Sequence, residues 1–215
     1  MIHIFDGGSR VLINGIIACP YKRMQRPGKQ VSNKCFVHIM NFEGNREAFQ
    51  FQRATPNDVA NLARLHVDTF NETHGPGPSY EVRLNQWQQL FRDKRPSWFC
   101  LVIKTQSGVL AGFAKGQPYD HADHADYQGE LNKIYLLKKY QKMGLGRRLL
   151  CHCAEEFRQL GITSFLLFGD ANNPSNGFYE RMGARRLYAQ NGAFHGGYGW
   201  NNLEDLLSDG NNSRA

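Results

Sequence analysis

The chain has 215 residues, enough to bury one good core and carry an extension, but tight for two full domains. Hydrophobic residues make up 41 % and charged residues 21 %, an ordinary globular balance, and no stretch approaches the roughly 20 apolar residues needed to span a bilayer. The formal charge of +7 divides into +4 over residues 1–50 (seven Lys/Arg against three Asp/Glu) and +3 beyond (nineteen against sixteen), too weak a surplus in the main body to argue for nucleic acid.

Residues 1–50 read differently from the rest and are taken as an N-terminal extension. Val11–Cys19 is short and apolar, and a basic Pro/Gly-containing run follows it from Lys22 to Lys29. Ile16-Ile17-Ala18-Cys19 is similar to a lipoprotein cleavage box. Asp6 before the run, Asn14 inside it and Arg10 as the only preceding basic residue argue against a signal peptide. The other readings are an irregular extension, an added hairpin, or upstream translation from a misassigned start. The five cysteines (Cys19, Cys35, Cys100, Cys151, Cys153) make no even disulfide framework, and Cys151 and Cys153 leave a helix about 200° apart. Reduced, mostly buried thiols suit a cytoplasmic protein.

Organisation becomes clear at Phe51. Thr55-Pro56-Asn57-Asp58 is a helix start, with a hydroxyl cap, proline in the first turn and a carboxylate beside it. Val59, Leu62, Ala63, His66, Val67 and Phe70 recur at helical spacing until the Gly75–Pro78 breaker, and a second helix is predicted over Tyr80–Arg92. His66 lies on the apolar face and reads as a core histidine. Trp98–Lys104 and Val109–Lys115 read as a β-hairpin turning at Gln106–Gly108, with Cys100 buried mid-strand. A polar loop, Asp120–Asp126, leads to a strand over Gly129–Leu137. Leu145, Leu149, Leu150, Cys153, Ala154, Phe157 and Leu160 then form one face of a long helix closed by Gly161. Ser164–Gly169 is a strand, Pro174–Met182 a short helix, and the last strands lie near Arg185–Ala189 and Gly196–Trp200. Residues 207–215 read as a disordered polar tail. The order predicts an α/β domain of the α+β type over residues 51–206, around a mixed, mostly antiparallel sheet flanked by helices.

The informative stretch is the loop between strand and long helix, Lys138 to Gly146. Gly144 and Gly146 let the backbone turn tightly, and the helix that follows adds unpaired N–H groups and the positive end of its dipole. That is a cradle for a phosphate or pyrophosphate, with Lys138, Lys139, Lys142, Arg147 and Arg148 supplying charge around it. It is neither a Walker A loop, because Arg147-Arg148 follows the second glycine, nor a Rossmann fingerprint, because Leu149 stands at the third glycine position.

The stretch from Glu130 to Leu136 followed by Gln141-x-x-Gly144-x-Gly146-Arg147-Arg148-Leu149-Leu150 resembles the acetyl-CoA-binding motif of the GNAT acyltransferase superfamily. Asn173-Pro174-Ser175-Asn176-Gly177-Phe178-Tyr179-Glu180-Arg181-Met182-Gly183-Ala184 resembles the second hallmark of that family, and Arg53–Asp58 is similar to its N-termini. The resemblance implies a sheet splayed at the acetyl-CoA site and a transfer of acetyl from acetyl-CoA to an amine without a metal. By the same resemblance the pyrophosphate sits on the amides of Lys142, Met143, Gly144, Leu145, Gly146 and Arg147, with Gln141 opening the motif. The pantetheine arm pairs with the backbone of Ile134, Tyr135 and Leu136, and a bulge in that strand, which the sequence does not reveal directly, splays it from its neighbour and makes room for the cofactor. Asn173 bonds the pantetheine and Phe178 packs on the cofactor or in the core. Tyr179 is implied as the acid that protonates the departing thiolate, a phenol of pKa about 10 being suited to that transfer; packing against the cofactor is the other reading. Glu130 is implied as the base for the attacking amine, the alternative being a surface glutamate at a strand end.

Three features remain open or discounted. His121-x-x-His124 with Asp120, Asp123 and Asp126 lacks a distant third ligand and reads as a solvated loop facing the acceptor, its carboxylates able to attract a cationic amine. Phe194–Trp200 is either a final core strand or a wall of the acceptor pocket. A third reading uses the basic extension as a nucleic-acid or partner contact attached to the acyltransferase fold. The expected activity is N-acetylation of a small-molecule or peptidyl amine by direct transfer in a ternary complex, with a non-catalytic acyl-CoA sensor of the same fold as the rival. Many members of the superfamily dimerise, so a homodimer is a further expectation; no nucleic acid, membrane or metal is expected.

Overall fold

The helix start at Thr55 is built from interlocking polar groups. The Thr55 backbone N–H and hydroxyl both donate to Asp58 Oδ2, at 2.8 and 2.9 Å, with Pro56 beginning the first turn. Asp58 Oδ1 meets Lys104 Nζ at 2.8 Å, so one carboxylate ties the helix start to a strand. Burial opposes the charge on Asp58, but Lys104 and Thr55 outweigh it and hold the carboxyl below its ordinary value. Its contribution to stability is therefore complete above the ordinary carboxylate range and is lost as pH falls through the lowered value. Asp58→Asn is expected to cost about 1–3 kcal/mol at neutral pH. Urea midpoints should show that difference vanishing in strong acid; a difference independent of pH would contradict the ion pair.

The computed structural model describes residues 48–93 and 98–211, with side chains to residue 208. The N-terminal extension lies outside this range except for its last residues, which already belong to the first strand, β1 (Phe49–Arg53). After the capped turn come α1 (Val59–His74) and α2 (Tyr80–Arg92), then β2 (Phe99–Thr105), β3 (Leu110–Pro118) and β4 (Gly129–Leu136). The remainder is α3 (Leu145–Gln159), β5 (Phe165–Phe168), α4 (Asn176–Arg181), β6 (Arg185–Tyr188), β7 (Phe194–Trp200) and α5 (Leu203–Asn211). The strands form one sheet in the order β1-β2-β3-β4-β5-β7-β6, antiparallel throughout except where β4 and β5 run parallel.

The two faces are covered separately. Leu62, Ala63, Leu65 and Trp87 of α1 and α2 pack on Cys100, Val102 and Phe113. On the other face Leu149, Leu150, Cys153 and Phe157 of α3 pack on Phe99, Leu101, Ala114 and Leu131. Full burial of each such side chain is worth about 1.5–3 kcal/mol, so these two layers hold the sheet on both sides of β4.

Two expectations need correction. Leu160 is 37 % exposed and caps α3 rather than joining its apolar face. The C-terminal segment is helical through Asn211: Asn202 Oδ1 accepts the Glu204 N–H at 3.1 Å, and Leu203 and Leu206 bury in the α3 layer. Leu203, Leu206 and Leu207 stand at helical spacing but span barely one turn, too short a run to reveal a period, so residues 207–211 read as tail. Residues 212–215 lie outside the described range.

Candidate active site

The site begins as a defect in the sheet. Lys115 pairs with Lys133 and Gly116 with Leu131, so Asn132 is an extra residue, a β-bulge that bends β4. Past Glu130 the parallel pairing of β4 with β5 stops: Gly129 pairs with Phe165 and Glu130 with Leu166, and no further pair follows. From Leu131 to Leu136 the β5-facing edge of β4 borders a wedge, so backbone groups there are available to an extended ligand.

The wedge ends at the glycine loop. Gln141 Nε2 donates to Leu136 O at 3.0 Å, closing the last turn of the loop back onto β4. Lys142 has φ 60°, the one left-handed non-glycine among the described residues, and Gly144 follows at φ 77°. These two left-handed positions, with Met143 between them, turn the backbone tightly into α3 at Leu145. Lys142 and Met143 are exposed, Leu145 is buried, and the Phe178 ring lies 3.6 Å from where a Cβ on Gly146 would sit. Arg148 departs from expectation. Its guanidinium stacks 4.4 Å over Phe51 of β1, away from the loop, and burial lowers its pKa. Lys139 lies over the Tyr140 ring at 4.7 Å.

The other wall of the wedge comes from α4. Trp200 Nε1 donates to Met182 O at 2.7 Å, and Tyr198 donates its hydroxyl to Glu180 Oε1 at 3.1 Å. Arg186 bonds the same Glu180 oxygen at 2.7 Å, so β6 and β7 together fix this short helix. Asn173 Oδ1 accepts the Ser175 N–H at 2.8 Å, turning the chain into α4, and its Nδ2 has no hydrogen-bond partner among the described residues. Tyr179 is thereby held among Phe178, Tyr198 and Trp200, ring centroids 5.3 to 6.4 Å away. Burial, then Tyr135 and Tyr198, push its hydroxyl above the ordinary tyrosine value, so it stays protonated.

Glu130 projects from the opposite face. Its neighbour Leu131 packs under α3, so Glu130 faces the α1–α2 side. It is no loose surface group: Gln117 Nε2 donates to Glu130 Oε2 at 2.8 Å and Asn132 Nδ2 to Oε1 at 3.3 Å. Gln117 in turn accepts from the buried Lys115 ammonium. Sequence reading missed Gln117 and Lys115, although a lysine and a glutamine at alternate positions of an apolar strand are the signal for such a polar chain.

The remaining candidates sort by packing. The Phe194–Trp200 aromatics face the core, with Tyr198 and Trp200 fully buried there, so the acceptor-wall reading of that strand does not hold for them. Gly199 is bare for a different reason: a Cβ there would lie 2.4 Å from the Tyr127 ring, which packs directly on β7. His121 caps a single 3-10 turn (Ala122–His124) that His124 closes, and no cluster of three metal-ligating side chains occurs among the described residues. Burial pushes the Cys100 and Cys153 thiols upward, so neither is poised as a thiolate.

His66 is a core histidine, as its position on α1 predicts, and is 1 % exposed. Burial first, then the charges of Arg83 and Lys133, lower its pKa to about 2. The folded protein keeps it neutral while the unfolded chain takes up a proton below about 6.5, so this site loses stability as pH falls from there toward 2. The loss is about 1.4 kcal/mol per pH unit, and His66→Leu should flatten the acid limb of a stability-against-pH curve; an unchanged limb would contradict the buried neutral state.

The model of the acetyltransferase (GNAT) family matches residues 59–184, more than half of the chain. The chain belongs to the GNAT family. It is 30 % identical over 158 residues to the "uncharacterized N-acetyltransferase YuaI" of Bacillus subtilis (strain 168), covering 69 % of this chain and 91 % of that protein. It is 31 % identical over 159 residues to phosphinothricin N-acetyltransferase of Streptomyces viridochromogenes, covering 71 % and 84 %. The fold is similar to that of the GNAT family N-acetyltransferase YhbS of Escherichia coli, solved in complex with CoA: TM-score 0.56, 15 % identity, 78 % of this chain and 88 % of that one. The expected family and the mixed, mostly antiparallel GNAT sheet are thus both present. No helix among the described residues is long and apolar enough to cross a membrane.

Proposed function

We propose that this GNAT protein moves an acetyl group from acetyl-CoA directly to a primary amine in a ternary complex. The observation that carries the reading is the wedge between β4 and β5, which ends on the Lys142–Arg147 loop and has Tyr179 on one face and Glu130 on the other. The loop amides and the α3 N-terminus suit the pyrophosphate. The open edge of β4 around Ile134, Tyr135 and Leu136 suits the amide-bearing pantetheine, with the Asn173 Nδ2 and the Phe178 ring beside it.

In this reading the amine nitrogen attacks the thioester carbonyl and gives its proton to Glu130, directly or through a water. Backbone N–H groups of the β4 edge polarise the carbonyl oxygen, and collapse of the adduct breaks the C–S bond. The CoA thiolate leaves with the Tyr179 proton. Gln117, itself held by Lys115, fixes the carboxylate so that one oxygen can face the cleft. The named relatives are N-acetyltransferases, which supports the amine as acceptor.

Thiol release from acetyl-CoA across a panel of amines, comparing the wild type with Glu130→Gln, tests the proposal. Release that depends on the amine and falls at least tenfold in the variant is expected. Tight CoA binding with no release for any amine would instead identify a CoA sensor.

A further inference from the structure

The face of the sheet that carries Glu130 holds an aromatic apron where the wedge begins. Gln117 bonds Glu130, and Tyr119 follows two residues on, on the same face of the chain leaving β3. On β5 the register partner of Glu130 is Leu166, and Phe168 stands two residues further on that face. Phe165 and Leu167 point the other way, into the α3 layer. At sheet spacing the Cα atoms of Phe168 and Glu130 are roughly 8 Å apart, a gap that an amine joined to a ring by two carbons can bridge.

The bare face of β7 explains why rings gather here. Tyr198 and Trp200 fill the α3 side, so Gly197 and Gly199 present no side chain to this one. The Phe168 ring lies 3.3 Å from where a Gly197 Cβ would sit, and the Tyr127 ring covers Gly199. Tyr127 is buried and donates its hydroxyl to Asn201 Oδ1 at 2.7 Å, which makes it a fixed floor. The turn around it is pinned at both ends: the Tyr119 N–H donates to Gln128 O at 2.8 Å, and Ser164 Oγ to Asp126 O at 3.0 Å. His124 stands 5.8 Å from Phe168, and Tyr119 stands 6.3 Å from Phe168 and 5.1 Å from His121.

Packing accounts for one side of these rings and not for the other. Phe168 is 45 % exposed, and Tyr119 and His124 are only partly buried, so the apron opens to solvent beside Glu130. Aromatic surface left open next to a proposed reacting centre marks a place that a ligand covers. The charge beside it has one sign. Residues 116–132 hold Asp120, Asp123, Asp126 and Glu130 and neither lysine nor arginine, and the three aspartates make no ion pair among the described residues. Burial first, then the carboxylates of Asp123 and Glu130, raise the Tyr119 pKa, which puts both carboxylates near its hydroxyl. Of the neighbouring cations, Lys115 donates to Gln117, Lys133 bears on His66 and Arg185 on the buried Tyr127. A ligand that brings a cation is favoured here over one that brings an anion.

We infer that the acceptor is a cationic amine with an aromatic body, its ring resting on Tyr119, His124 and Phe168 and its nitrogen at Glu130. The inference rests on the N-acetyltransferase reading and narrows its acceptor from any primary amine to arylalkylamines. A ring gains offset and edge contacts on these side chains that an alkyl chain of similar size does not. The aspartates disfavour an amine that carries a carboxylate of its own.

The test measures thiol release from acetyl-CoA by the full chain with phenethylamine, hexylamine, ethylamine and phenylalanine. Phenethylamine is expected to exceed each of the others by about tenfold or more in kcat/KM. Phe168→Ala and Tyr119→Ala are each expected to cut the ratio of phenethylamine to ethylamine severalfold, through KM of phenethylamine. Phe168→Tyr, which keeps a ring, is expected to retain that ratio. CoA affinity reports whether a variant is folded, and Phe168→Leu, which keeps apolar bulk without the ring, stands in for a Phe168→Ala that is not. A smaller advantage over ethylamine or hexylamine would overturn the inference while leaving amine acetylation intact, and so would phenylalanine acetylated as fast as phenethylamine. An aromatic preference that survives in folded variants of both Phe168 and Tyr119 would overturn it too. No release with any amine would remove the transferase reading and this inference with it.

Discussion

Tyr179→Phe is expected to lower kcat for amine acetylation by roughly 10²-fold or more, with the KM for acetyl-CoA little changed. The phenol is 9 % exposed, gripped by three aromatic rings, and its hydroxyl has no hydrogen-bond partner among the described residues. A tyrosine kept only for packing would sooner be phenylalanine at such a place. Burial first, then Tyr135 and Tyr198, raise its pKa, so the group carries its proton throughout the working range and loses it only in strong alkali. The active form is the protonated one, so no alkaline decline near pH 10 should be traceable to Tyr179. Phenylalanine fills the same volume, so thermal stability should change by less than about 0.5 kcal/mol. A kcat within threefold of wild type would mean that Tyr179 only packs.

Gly146→Asp is expected to weaken CoA binding by about 100-fold, seen by calorimetry, with the fold intact. A Cβ at this position meets only the Phe178 ring at 3.6–3.7 Å, an ordinary contact, so the protein itself does not require glycine there. A carboxylate at the start of α3 would occupy and repel exactly the charge the loop is proposed to hold. Gly144 has the reverse character. A Cβ there meets nothing within 4 Å, but φ 77° strains any other residue by about 1–2 kcal/mol. Gly144→Ala should therefore lower stability first and Gly146→Asp affinity first. Equal CoA affinity in Gly146→Asp and wild type would place the diphosphate elsewhere.

These contrasts show what the sequence could and could not convey. Helical periodicity located α1 and α3 closely, with the Thr55–Asp58 start opening the first and Gly161 closing the second, and the Gly75–Pro78 breaker set α2 apart from α1. The Gln141–Gly146 loop is weak evidence alone, since glycines punctuate many strand-to-helix turns, and it was legible through the strand before it, the amphipathic helix after it and the Asn173–Gly183 motif downstream. The bulge at Asn132 was not, since a register shift depends on which residues of β3 pair with β4. Arg148 was misread for a related cause: its place in the first turn of α3 says nothing about Phe51, nearly a hundred residues earlier, waiting across the sheet edge. The Lys115–Gln117–Glu130 chain and the Tyr119–His124–Phe168 apron likewise exist only once distant segments meet. In this chain the proposed donor half of the site is local in sequence and the proposed acceptor half is assembled by the fold.

A crystal structure of the full chain with CoA bound tests the central claim most directly. The account predicts the pyrophosphate on the amides of Lys142–Arg147, the pantetheine along β4 from Leu131 to Leu136, and the thiol facing the Tyr179 hydroxyl. CoA bound outside the wedge, or a β4–β5 pairing that closes past Glu130 in the complex, would contradict it.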